Sequence, residues 1–283
     1  MLAAASTAGE ATLAAPGDLA GAIAVTGLDV SARAALLDAV AGLERYPHRL
    51  AQILDTGVLR VGTTGDYAPF SHRDDGAAPE GIDVELARHL GDALGVRVAF
   101  VATTWPTLMA DLAAGRYDVA MSGVSRTLAR QRAAFQSRPY YVGGKAPIAR
   151  CGDAGRFAGL EAIDRPGVRV VVNPGGTNEA FVDAHVHRAD KILYDDNRTI
   201  FREIVEGRAD VMITDRVEVE LQASRHDSLC ATMAGTLTYQ EKAYLLPRDP
   251  VWLEFVNTWL DLALADGTVA RTFRDRGIEP RLP

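Results

Sequence analysis

The sequence predicts an α/β protein of two lobes joined by a hinge that the chain crosses twice. From Val58 onward, short apolar runs alternate with amphipathic helical segments, the pattern of βαβ units around a mostly parallel sheet. This alternation occurs twice, on either side of a long extended segment at Tyr140–Arg150. A last apolar run and helix follow the second unit, and they complete the first if the chain crosses back. The expected organisation is an N-terminal appendage at 1–46, one lobe at 47–147 with 244–283, and a second lobe at 148–243.

Residues 1–30 are Ala-rich and read as a leader; Ala34, Leu36, Leu37, Val40 and Leu43 then recur at helical spacing behind Ser31, a candidate N-cap. The first unit runs strand Leu59–Thr63, helix Asp83–Leu94, strand Val96–Val101, helix Trp105–Ala114 and strand Val119–Ser122. Pro106 suits a first helical turn, where no N–H is needed. The second unit runs strand Val168–Val172, helix Asn178–Val186, strand Ile192–Tyr194, helix Thr199–Glu206, strand Val211–Thr214 and helix Arg216–Ser224. Ala243–Pro247 and a helix from about Val251 to Leu264 make the return.

Composition narrows the function. The 283 residues suffice for two domains, and 30 basic against 37 acidic residues argue against a nucleic-acid footprint. No window approaches the ~18 uninterrupted apolar residues of a membrane span, so membrane insertion is not expected. A small-molecule site is. Lys145, Lys191 and Lys242 are the chain's lysines; its other basic residues are Arg, a bias that codon usage explains. Arg33 is the first basic residue, so the charged start of a secretory signal is not legible. Cys151 and Cys230 are too far apart for a zinc cluster and leave buried thiols or a disulfide open. His185 and His187, two apart, do not share a helix face, so no metal site is expected of them. Phosphate-loop, dinucleotide and nucleophile-elbow motifs are absent from the sequence.

Four segments end strands at the edge where open α/β sheets bind ligands. "GTTGDYAPF" (62–70) puts Tyr67 after a run of small residues, or is a plain turn. "MSGVSRTLARQRAAF" (121–135) offers Gly123 and Ser125 as donors, and Arg130 as a planar fork suited to a carboxylate or as a solvated helix charge. "VVNPGGTNEAF" (171–181) runs through two glycines into a helix start, where free N–H groups favour an anion, or is a common Gly turn. In "VMITDRVEVE", Asp215 and Glu218 have the spacing of a capping box, with Glu218 reaching back to the Asp215 N–H.

Together these residues resemble the type II periplasmic solute-binding fold in its amino-acid-binding branch, over about residues 48–278. "TTWPTLMADL", "GGKAPIARC", "PGVRVVVNPGGTNE", "ADVMITDRVE" and "EKAYLLPRD" look more specifically like the cyclohexadienyl dehydratase family. That resemblance implies loss of water and carbon dioxide from prephenate, giving phenylpyruvate, or from arogenate, giving phenylalanine. It implies no cofactor, because ring aromatisation drives the reaction. Glu218 then becomes the general acid, since burial raises a carboxyl pKa by roughly 3–5 units while a helix N-terminus offsets under one. Trp105 would shape the ring pocket, or is a buried core residue. Tyr67, Asn173 and Asn178 would hydrogen-bond the hydroxyl or a carboxylate. Arg130 with Thr177 would hold the side-chain carboxylate, Asp215 sits where an α-amino group is gripped, and Lys242, in "QEKAYLLP", would line the site. The resemblance also has cysteines at Cys151 and Cys230, which favours a disulfide.

The rival function is a non-catalytic amino-acid-binding protein of an ABC transporter. It shares Arg130, Thr177 and Asp215 but has no need of Glu218, Trp105 or Asn173. The family implies a periplasmic location, the signal-less start a cytoplasmic one, and oligomeric state, homo-oligomers included, is left open.

Overall fold

The computed structural model describes residues 29–31, 33–34 and 46–283. The chain divides into two compact units, Met1–Gln52 and Ile53–Pro283. In the first, Val30, Ser31, Arg33 and Ala34 are helical. The cap is not Ser31 as expected: the Asp29 carboxylate accepts from the Ser31 N–H at 2.9 Å, so the cap lies two residues earlier. The rest of the expected helix, to Leu43, lies outside the described residues.

In chain order the first half of the fold is α1 (Arg49–Thr56), β1 (Val58–Thr63), β2 (Asp66–Tyr67), β3 (Ser71–His72), α2 (Ile82–Leu94), β4 (Arg97–Ala102), α3 (Leu108–Ala113), β5 (Val119–Ala120), α4 (Leu128–Ala133), β6 (Phe135–Gln136) and β7 (Tyr141–Gly143). The second half is β8 (Lys145–Arg150), a 3₁₀ helix (Cys151–Phe157), α5 (Leu160–Ile163), β9 (Arg169–Val172), α6 (Thr177–His185), β10 (Asp190–Leu193), α7 (Phe201–Val205), β11 (Val211–Asp215), α8 (Arg216–Arg225), β12 (Leu229–Ala231), β13 (Gln240–Lys242), β14 (Leu245–Leu246), α9 (Pro250–Ala265) and α10 (Thr268–Arg274).

Two five-stranded sheets result, ordered β4-β1-β5-β14-β6 and β10-β9-β11-β8-β12. β1 pairs in parallel with β4 and β5, and β14 closes antiparallel on β5 and β6, so the late return strand does belong to the first sheet. β7 and β13 pair antiparallel on the two passages between the sheets. These contacts give the two-lobed α/β architecture with a doubly crossed hinge. The boundary expected between 147 and 148 falls inside β8, all six residues of which pair in the second sheet.

Apolar periodicity explains the layers. α2 buries Ile82, Val84, Leu86, Ala87 and Leu90, and ends at Gly95, whose φ of 68° only glycine adopts cheaply. Val170, Val172, Val211 and Ile213 face one apolar layer of the second sheet, and Val171 and Met212 the other, as alternation along a strand requires. α9 opens with Pro250 at its first turn and the Asp249 carboxylate accepting from the Trp252 N–H. Cys151 and Cys230 are disulfide-bonded with Cα atoms 4.8 Å apart, which decides the alternative left open by their spacing.

Three boundaries shift for local reasons. Trp105–Thr107 form a turn ahead of α3, because the Thr103 and Thr107 hydroxyls both donate to Asp111 Oδ2, at 2.6 and 2.9 Å. β5 stops at Ala120; Ser122 instead accepts from the Thr64 N–H at 3.1 Å and bonds Ser71 Oγ at 2.6 Å. His187 falls beyond α6, while His185 stacks on Phe181 with ring centroids 4.3 Å apart. Among the described residues no helix is long and apolar enough to cross a membrane.

Candidate active site

The strand ends converge on a cavity of ≈ 280 Å³. β2 brings Tyr67, the loop after β5 brings Gly123 and Ser125, and the turn before α3 brings Trp105. From the second sheet, β9 runs into Asn173, α6 opens with Thr177 and Asn178, and β11 ends at Asp215. Nine of the expected residues, Lys242 from β13 among them, therefore line one cavity. Arg130 and Glu218 are not part of that lining and connect to it through neighbours.

Asp215 is the electrostatic centre. It is 4% exposed, and its Oδ1 accepts from Lys145 Nζ at 2.8 Å while Oδ2 accepts from Lys242 Nζ and the Tyr67 hydroxyl. Burial alone would raise its pKa, but the ammonium groups of Lys145 and Lys242 outweigh burial and hold the carboxyl well below the usual range. Lys242 is pushed the other way, down to about 8, chiefly by burial, although Asp215 partly restores its charge. Tyr67 is raised well above its ordinary value by burial and by the neighbouring Asp215 and Glu218 carboxyls. Lys242 Nζ also donates to Ser125 Oγ at 2.9 Å and lies 5.0 Å from the centre of the Tyr67 ring. The carboxylate expected to wait for an amino group is thus already paired with two of the chain's own cations.

Glu218 does not form the capping box. Asp215 stands at the N-cap of α8 without a side-chain cap bond, and Glu218 Oε2 instead accepts from Thr214 Oγ1 at 2.5 Å. Glu218 is 1% exposed, and burial raises its pKa to about 8 against the Thr214 bond, with the Asp215 charge pushing the same way as burial. Thr214 links it to the cavity: Asn178 Nδ2 donates to Thr214 Oγ1 and to Asn173 Oδ1, both at 3.1 Å, and Lys145 Nζ donates to Asn178 Oδ1 and, at 3.0 Å, to Thr177 Oγ1. A continuous row of donors therefore runs from a buried ammonium to a buried, protonatable acid.

The opposite wall is aromatic. Trp105 meets Tyr67 edge-on with ring centroids 5.7 Å apart, and its Nε1 donates to Asp66 Oδ1 at 3.1 Å. Trp105 is half-buried; it lines the cavity and also packs against the apolar cluster of Leu108, Leu112 and Tyr117. Gly123 has φ 64°, and a Cβ there would stand 2.6 Å from the Tyr67 and Phe70 rings, so only glycine permits this approach. Its N–H donates to Asp83 Oδ2 at 2.5 Å, and Tyr140 donates to the same oxygen at 2.8 Å. Burial lifts Asp83 to about 7 despite both bonds. Arg130, in α4 behind its Thr127 cap, donates from Nη1 to the Ser125 carbonyl at 2.7 Å, and burial draws its pKa down to about 10. Gly175, at φ 79°, would place a Cβ 2.6 Å from the Pro106 nitrogen, so the glycine turn touches the Trp105–Pro106 turn directly.

Two lining residues, Gly176 and Asn197, had no expected role, and neither did Lys145, fully buried behind the lining against Thr177, Asn178 and Asp215. Lysine is scarce in this sequence, and two of its three lysines meet at this site, on the strands that enter and leave the second sheet. That scarcity was the available signal for Lys145. Asn197 had none, because its turn between β10 and α7 carries no motif.

Residues 59–275 match the family model of bacterial extracellular solute-binding proteins, family 3. The chain is 46% identical over 246 residues to a cyclohexadienyl dehydratase of Pseudomonas aeruginosa, covering 87% of this chain and 91% of that protein. Among solved structures it resembles an ancestral amino acid-binding protein described as a precursor of cyclohexadienyl dehydratase, with TM-score 0.75 and 32% identity over 81% of this chain and 98% of that one. An ancestral cyclohexadienyl dehydratase is 48% identical with TM-score 0.51, covering 81% and 95% of the two chains.

Proposed function

From the premise that the chain belongs to the bacterial extracellular solute-binding proteins of family 3, we propose that it is an enzyme rather than a receptor, a hydro-lyase with cyclohexadienyl dehydratase activity. The observation that carries this reading is Glu218: a carboxyl group buried at the sheet edge and raised to about 8 is a proton donor at neutral pH. A receptor that only closes on an amino acid has no use for it.

The charges support the same reading. Arg130, Lys145 and Lys242 surround the one ionised Asp215, while Glu218 is neutral, so two positive charges remain for the two carboxylates of prephenate. In an amino-acid receptor the carboxylate at the Asp215 position would face the α-ammonium; here Lys145 and Lys242 take that place. Trp105 and Tyr67 present ring faces and edges against which a six-membered ring packs.

In the proposed reaction, Glu218 gives its proton to the ring hydroxyl as the C4–O bond breaks. The bond from the ring to its own carboxylate breaks in concert, and that electron pair completes the aromatic ring. Water and carbon dioxide leave, and Glu218 is reprotonated from solvent. Asn173 and Asn178 hold the polar edge of the substrate, and Thr177 with Arg130 the side-chain carboxylate. The family's extracellular character and the Cys151–Cys230 bridge support a periplasmic location, where disulfides persist.

Incubation with prephenate at neutral pH, with phenylpyruvate read by its absorbance in alkali, tests the proposal. Wild type turns over, and Glu218→Gln is slower by roughly 10²–10⁴-fold while remaining folded. Undiminished turnover by Glu218→Gln would overturn the acid assignment. Absence of wild-type turnover together with tight binding of an amino acid would make the chain a receptor.

A further inference from the structure

We propose that Asn197 is the acceptor that holds the hydrogen of the substrate's ring hydroxyl while Glu218 protonates its oxygen. The inference rests on the dehydratase reading above and assigns a residue that reading does not use. Asn197 lines the cavity, is 3% exposed, and sits in the turn between β10 and α7. Its Nδ2 donates to the Asp66 carbonyl at 2.9 Å. A carbonyl only accepts, so this bond fixes the amide orientation and turns Oδ1 away from Asp66. Oδ1 is buried and has no hydrogen-bond partner among the described residues.

An orphaned buried acceptor costs free energy unless a ligand completes it, so its partner must be a donor. The rest of the lining is rich in donors: the ammonium group of Lys242 and the hydroxyls of Ser125 and Thr177, with Lys145 behind them donating to Thr177. Those suit the carboxylates and the keto oxygen of the substrate, which only accept. The ring hydroxyl is the one group of prephenate that donates. In arogenate the hydroxyl is retained and an ammonium is added, so a hydroxyl-directed acceptor serves both substrates.

The chemistry benefits in a specific way. A hydroxyl that donates to Asn197 Oδ1 has a more electron-rich oxygen, which takes the Glu218 proton more readily. Its hydrogen is also turned away from Glu218, leaving a lone pair toward the acid. When the C4–O bond breaks, the departing water carries one hydrogen from Glu218 and keeps its own against Asn197. Asp66 couples this group to the aromatic wall, because its backbone carbonyl receives Asn197 and its carboxylate receives Trp105.

Asn197→Leu and Asn197→Asp test the proposal on prephenate and arogenate, with equilibrium binding of phenylpyruvate, which lacks the ring hydroxyl, measured alongside. The expected result for Asn197→Leu is a fall in kcat of about tenfold or more on both substrates, with phenylpyruvate affinity within about twofold of wild type. Asn197→Asp, which keeps an acceptor, retains more of kcat than Asn197→Leu. Undiminished kcat overturns the proposal. Loss of phenylpyruvate affinity in proportion to kcat overturns it in favour of a role in cleft closure, and a loss confined to arogenate in favour of ammonium binding. If Asn197→Leu does not fold, Asn197→Ser, too short to reach both partners, is read by the same criteria. Failure of the wild type on both substrates would instead reject the dehydratase reading itself.

Discussion

Glu218 carries its proton because water is excluded from around it, and that has two measurable consequences. In the free protein Glu218 loses its proton above about 8, and Lys242, pushed down to about 8, loses its charge over the same range. The kcat/KM profile for prephenate therefore falls steeply on the alkaline side, with both groups contributing, while kcat falls at higher pH because the bound dianion further disfavours ionisation of Glu218. Stability follows the opposite logic to that of a salt-bridged carboxylate. Between the ordinary glutamate value of 4.5 and about 8, the native state holds a proton on Glu218 that the unfolded chain has released. The contribution of this residue to stability is thus full below 4.5 and is lost as pH rises toward and past 8. Glu218→Gln removes the titration, so this variant is expected to match wild type near pH 4.5 and exceed it by ~2–4 kcal/mol at pH 8. Denaturant melts at the two pH values check this; a pH-independent difference would mean that Glu218 is not buried neutral.

At the scale of elements, the β11–α8 junction does most of the positioning. Three of its residues, Thr214, Asp215 and Glu218, are buried around one turn, so the strand end delivers a lysine-paired anion and a neutral acid side by side. Thr214→Val keeps the shape of the strand but removes the donor that favours the Glu218 anion. The alkaline limb of kcat is then expected to move up by about 0.5–1 unit, a shift that plain destabilisation would not produce. This junction also marks how far the sequence could be read. The strands and helices on either side were legible because their apolar residues repeat at periods of 2 and 3.6, and the spacing of Asp215 and Glu218 singled the junction out. The spacing alone indicated a capping box, since a local motif says nothing about which side chain the tertiary fold will bury. The Trp105 turn was missed because threonine hydroxyls outcompeted the helix there, and the β2–β3 hairpin and the two-residue strands are too short to carry a period. Lys145 and Asn197 owe their place to strand pairing and to a cross-cleft bond, contacts between residues far apart in the chain.

For the molecule as a whole, the two sheets meet through polar contacts of unequal weight. Tyr67–Asp215 and Asn197–Asp66 are buried, whereas the Arg198–Asp75 ion pair, at 2.8 Å, sets a half-exposed guanidinium against a 94% exposed carboxylate and contributes little in water. Both buried contacts involve residues that line the cavity, Tyr67 with Asp215 and Asn197. The Cys151–Cys230 bridge lies outside that lining, joins positions 79 apart in sequence and encloses β9, β10 and β11. Its connectivity makes the core of the second sheet a covalent ring, and a ring does not transmit tension through its interior. Stretched between its ends in a force spectrometer, the oxidised chain would leave those strands unloaded, and reduction would release roughly 270 Å of additional contour length, at ~3.4 Å for each of the 79 residue steps between the cysteines. The oxidised form would then be, mechanically, a shorter protein than its sequence.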